Sequence, residues 1–101
     1  MSNAVSPLNI PNELRKGPTV LDFYADWCQP CKAISKELER LKTLKPGVNI
    51  VKINVDNHQS LVQSYEIKSI PFVLYYEGLG TAPKQLTGFV KAEEMIRRFG
   101  L

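Results

Sequence analysis

Residues 19–44 read TVLDFYADWCQPCKAISKELERLKTL, and the change of pattern inside this stretch decides the fold. TVLDFYA (19–25) is a nearly continuous apolar run, as expected of a strand buried on both faces. From residue 31 the period changes, and Ile34, Leu38, Leu41 and Leu44 recur at helical spacing with Lys and Glu between them. A buried strand therefore feeds an amphipathic helix, and the chain's two cysteines lie three residues apart at the junction. Three readings compete for that pair: a metal clip, a buried structural pair, or a dithiol that does chemistry.

Outward from this unit the pattern continues. Pro46-Gly47 stops the helix, and VNIVKINVD (48–56) is a second β-branched strand. Asp56 or Asn57 can cap a short helix carrying Leu61, Val62 and Tyr65. IPFVLYY (70–76) is a third strand, EGLG (77–80) a turn, and Lys84 to Thr87 a weaker fourth strand. In KAEEMIRRFGL (91–101), Ala92, Met95, Ile96 and Phe99 share one helical face. The N-terminal stretch 6–18 is broken by three prolines and leaves room for about one helical turn, Asn12 to Arg15. The order predicts an α/β domain with a central mixed sheet of about four strands and helices on both faces. Helical crossovers would make the first three strands parallel, and the short turn would make the last pair antiparallel.

Length and composition bound the function. The 101 residues, 44% apolar and 23% charged, fit a single soluble domain over 1–101. Such a chain buries roughly 60–70% of its unfolded surface and folds without covalent staples. Its net charge of +3 is mild and scattered, without the basic stripe that nucleic-acid binding needs. No apolar run approaches a membrane span. The opening MSNA resembles a remnant of cloning and is set aside. Cytoplasmic location is the expectation, with a periplasmic or extracytoplasmic one open if a native signal was removed.

A structural zinc site needs four ligands, and beyond the two cysteines the candidate is His58. Cys28 ends the loop after the strand, and Cys31 lies in the first helical turn. Pro30 fits there because early helical N–H groups have no intrahelical partner to lose. The Cys28 sulfur then meets unpaired donors at the positive end of a helix, which favours the reactive thiolate. The helix dipole alone supplies about 0.3–1 kcal/mol, so direct hydrogen bonds must add to it. Asp22 is an acid inside the buried run: either it reaches water at a sheet edge, or it is desolvated with a raised pKa.

LDFYADWCQPCK (21–32), VKINVD (51–56), SIP (69–71) and TGF (87–89) resemble the thioredoxin family, in order and spacing, over about residues 17–99. The resemblance implies a thioredoxin-like fold and a thiol–disulfide oxidoreductase that reduces protein disulfides. Cys28 is then the nucleophile and Cys31 the resolving thiol; ordering within one helical turn agrees, putting Cys28 outward and exposed and Cys31 inward and shielded. Asp22 lies beneath Cys31 and exchanges a proton with it, and Lys52 is the lysine near that acid, unless its long stem simply carries the charge to water. Pro71 is the family's cis proline facing the dithiol, leaving the carbonyl and amide of Ile70 to pair with an extended substrate. Trp27 is either core or a substrate-facing wall, and Gly88 either a turn or a close backbone approach near the same surface. No bound metal or organic cofactor is implied, since the dithiol carries the electrons. The implied partners are disulfide-containing proteins and a thioredoxin reductase, acting on a monomer.

Four departures stand out. Gln29 replaces the usual glycine between the cysteines. Lys36 replaces a helix-kinking proline, so the helix should run straighter. Ser69 and Phe72 flank the Ile-Pro pair, and the N-terminus leaves the family's first strand short or missing. A disulfide oxidase or isomerase, or a non-catalytic interaction module using the Pro71 groove, remain alternatives.

Overall fold

The computed structural model describes residues 8–101, and the opening MSNA, expected to be a remnant of cloning, lies outside them. Helix α1 (Ile10–Leu14) is capped by Asn9, whose side chain accepts from the Asn12 N–H at 3.0 Å. It starts two residues earlier than the proline count suggests, because Pro11 sits in the first turn, where it has no N–H bond to forfeit. The remaining elements are β1 (Thr19–Tyr24), α2 (Gln29–Leu44), β2 (Asn49–Asn54), α3 (Gln59–Ser64), β3 (Phe72–Tyr76), β4 (Lys84–Thr87) and α4 (Ala92–Phe99). Among the described residues no strand precedes β1.

The strands form one mixed sheet in the order β2-β1-β3-β4. β1 pairs with β2 in parallel and with β3 antiparallel, and β3 pairs with β4 antiparallel. The expected parallel third strand is thus corrected. The connection through the six-residue α3 instead brings the chain back to the end of the sheet where β2 finishes, so β3 begins at Phe72 opposite Phe23 and runs against β1.

Two cores follow from the strand alternation. Val20, Val73 and Tyr75 face α2 and α4, packing on Ile34, Leu38, Leu41, Met95 and Phe99. Leu21, Phe23, Val51 and Ile53 face the other way, under α1 and with Leu61 and Tyr65 of the α3 region. Phe99 stacks on Tyr75 with ring centroids 4.4 Å apart. α2 and α4 are also joined by Glu37, whose carboxylate accepts the Ala92 N–H at 2.9 Å. That bond, with Arg40 alongside, holds the Glu37 carboxyl below the usual carboxylate range. α2 is unbroken through Lys36 over all its 16 residues, consistent with the missing proline. The end of β1 and the start of α2 therefore open at the edge of the sheet where β3 begins.

Candidate active site

Cys28 is the N-cap of α2, with extended backbone angles (φ −92°, ψ 105°) and Pro30 in the first turn. Its Sγ accepts the backbone N–H of Cys31 at 3.2 Å, a bond that engages one of the helix's otherwise unpaired donors. The two cysteines form a disulfide with a Cα–Cα distance of 5.3 Å. The expectation that Cys28 stands exposed is corrected: it is 5% exposed and Cys31 2%. The sulfur of Cys28 is tied to Cys31, and Ala25, Tyr24, Val55 and Ile70 pack around the pair. What projects into solvent instead is Trp27, 69% exposed, which settles its alternative readings against core.

Trp27 does not project freely. Its Nε1–H donates to Asp56 Oδ2 at 3.0 Å. Asp56 is thus an indole anchor rather than the cap of α3, whose N-cap position falls to His58 without a side-chain bond. Behind the indole lies a groove of about 350 Å3 lined by Trp27, Val55, Val62, Ile67, Lys68, Ser69 and Ile70. The Ile70–Pro71 peptide is cis. The Ile70 backbone takes part in none of the turn and loop hydrogen bonds among the described residues. Gly88 has φ +77°, which explains the glycine, but no atom lies within 4 Å of a Cβ built there. It is a turn residue, not a point of close approach within the chain.

Asp22 sits in the central strand β1, so the edge-strand reading fails; it is 0% exposed. Neither carboxylate oxygen has a hydrogen-bond partner. Burial pushes its pKa up to about 6, with the positive charge of Lys52 pulling the other way. Lys52 is its partner in the β1–β2 register, but the ammonium is engaged elsewhere. It donates to Ser35 Oγ at 2.7 Å and lies 5.0 Å from the centre of the Tyr24 ring. Tyr24, Ala25, Asp26, Cys31, Lys32, Ser35 and Lys52 together line a cavity of about 320 Å3. Cys31, Lys52 and Ser35 therefore share one space on the α2 side of the sheet, the side toward which Asp22 alternates.

Two residues here escaped sequence reading. Asp56 carried a signal, a carboxylate at the end of a strand beside the active-site loop, but helix capping competed for it. Ser35 carried only its spacing, one helical turn beyond Cys31. Among the described residues no three His, Cys, Asp or Glu side chains gather as a metal site. Nor is any helix among them long and apolar enough to cross a membrane.

Comparison with known proteins agrees with the geometry. A family profile described as thioredoxin matches residues 4–99. The thioredoxin of Chlamydia caviae is 31% identical over 97 residues, covering 96% of this chain and 94% of that one. The thioredoxin of Mycoplasma genitalium is 33% identical over 84 residues, covering 83% and 81% respectively. Among solved structures, chloroplastic thioredoxin z superposes with a TM-score of 0.76 at 28% identity, covering 85% of this chain and 78% of that chain. A helix-capping dithiol on this sheet, with that kinship along almost its whole length, places the chain in the thioredoxin family as a thiol–disulfide oxidoreductase.

Proposed function

We propose that this chain is a reductase of protein disulfides in which Cys28 attacks, Cys31 resolves and Asp22 manages the proton. The observation that carries the reading is the Cys31 N–H held on Cys28 Sγ at 3.2 Å at the N-terminus of α2. A donor fixed on that sulfur stabilises the thiolate, the form that attacks. The Cys28 thiolate bonds to one substrate sulfur, the substrate S–S bond breaks, and the other sulfur leaves as a thiolate that takes up a proton. Cys31 then loses its proton to Asp22, bonds to Cys28 Sγ and displaces the second substrate sulfur. Two electrons pass from the dithiol to the substrate, and the Cys28–Cys31 disulfide remains. At pH 7 an acid titrating near 6 is about nine-tenths ionised, so Asp22 is available as a base.

Pro30 keeps the first turn of α2 open to the sulfur, and Lys52 supports Asp22. Trp27, Ile70 and Pro71 form the surface on which an extended substrate strand docks, with Gly88 at its margin. Because the dithiol itself carries two electrons, the reaction asks for no bound metal or organic cofactor. Electrons return through a thioredoxin reductase. The protein acts as a single domain, a monomer, in the cytoplasm. The test is insulin reduction driven by dithiothreitol. Turnover that requires both cysteines supports the reading, and turnover surviving loss of either one overturns it. A strongly oxidising potential for the pair would assign it to disulfide formation instead.

A further inference from the structure

Asp22 and Lys52 face each other in the β1–β2 register, yet the carboxylate oxygens are unpartnered and the ammonium is held by Ser35 Oγ at 2.7 Å. Ser35 follows Cys31 by four residues on α2 and so shares its face of the helix. We propose that Ser35 is a positioning residue for the resolving step, its hydroxyl pinning the Lys52 ammonium over the cavity that Cys31 lines, on the side of the sheet toward which buried Asp22 alternates. The proposal rests on the reductase reading given above.

Lysine needs such a pin. Its ammonium is strongly hydrated and its four-carbon stem flexible, so without a partner it swings into water. Lys52 is exposed, and its two holds are the Ser35 hydroxyl and the face of Tyr24, 5.0 Å away. Its charge is what opposes the burial that raises the Asp22 pKa. The other polar or titratable groups of the cavity are Cys31 and Lys32 from α2, and Tyr24 and Asp26 from β1 and its following loop. The β3 neighbour of Asp22 is apolar Val73, and α4 gives this core Ala92, Met95 and Phe99. No other cation among these groups has a fixed partner, so the position of Lys52 sets the local field. Fixing a charge beside a low-dielectric site strengthens its influence relative to a solvated one.

The experiment follows the Asp22 carboxyl by NMR titration of the oxidised chain in four variants: Ser35→Ala, Ser35→Thr, Lys52→Met and the Ser35→Ala/Lys52→Met double. Ser35→Ala should raise the midpoint by roughly half a pH unit, as a charge several ångströms away becomes solvated. Ser35→Thr should restore it, Lys52→Met should raise it at least as far, and the double variant should match Lys52→Met. In parallel, stopped flow follows the second release of thionitrobenzoate, when Cys31 displaces it from an adduct on Cys28. The pH profile of that release should shift with the Asp22 midpoint in Ser35→Ala and return in Ser35→Thr. A midpoint that stays or falls in Ser35→Ala overturns the proposal, as does an undiminished effect of Ser35→Ala in the Lys52→Met background. An unmoved release profile beside a moved midpoint also overturns it. If the unaltered chain shows no second release, the reductase reading falls, and the NMR arm still decides for or against the hold of Ser35 on Lys52.

Discussion

Replacing Asp22 by asparagine should change how the stability of this protein depends on pH. Asp22 is completely buried with both oxygens unpartnered, and its pKa is raised from 3.8 to about 6. A group with a raised folded pKa stabilises the native state fully below its unfolded pKa. That contribution is lost as pH rises through the window from 3.8 to about 6. The shift is 6 − 3.8, or about 2.2 units, which at 1.36 kcal/mol per unit amounts to about 3 kcal/mol. Above pH 7 nearly all of that cost is present, a large part of the 5–15 kcal/mol typical of a domain. Asparagine fills the same volume without a charge, so the Asp22→Asn variant should show no loss in this window. Urea titrations of both oxidised proteins at pH 4, 5, 6, 7 and 8 measure the difference directly, and comparing the two cancels the surface carboxylates they share. The gap between variant and parent should grow by about 2.4 kcal/mol from pH 4, where a small part of the cost is already present, to pH 7, and then level off. A gap that is constant, or that widens toward acid, would refute the reasoning.

Other expectations follow from packing and backbone. Phe99→Ala removes a fully buried ring stacked on Tyr75 and should cost about 3–5 kcal/mol in urea unfolding; a loss below about 1 kcal/mol would show that this face is not the core described. Gly88→Ala meets no neighbouring atom but forces an L-residue to φ +77°, so it should cost about 1–2 kcal/mol in urea unfolding. A much larger loss would mean that something does press on that turn.

Much of this architecture was legible because its signals are local. The period change at residue 31 identified α2, and Ile34, Leu38 and Leu41 are buried as the spacing predicts. Leu44, on the same stripe, is 48% exposed, since it lies at the last residue of the helix. The direction of β3 was not legible from element order alone, because the residues between β2 and β3 are long enough either to cross the sheet or to turn back, and the pairing with β1 decides it. In the site, the capping geometry of Cys28 followed from Pro30 and the helix start, which are local. The shielding of Cys31 was read correctly, but the burial of Cys28 was missed because residues far along the chain, Val55 and Ile70, close over the pair. Asp56 and Ser35 acquire their roles only from partners 29 and 17 residues away, and no periodicity encodes such pairs.

The central claim is that the two cysteines act in order, and the most direct measurement is capture of mixed disulfides by single-cysteine variants. Cys31→Ser leaves the helix-capping sulfur free to attack but nothing to resolve the product. Incubated with a disulfide-containing protein such as insulin, it should accumulate a covalent complex that dissolves on adding dithiothreitol. Cys28→Ser leaves the thiol one turn inward and should accumulate none, and its thiol should alkylate slowly at neutral pH. Complexes trapped by Cys28→Ser and not by Cys31→Ser would contradict the account.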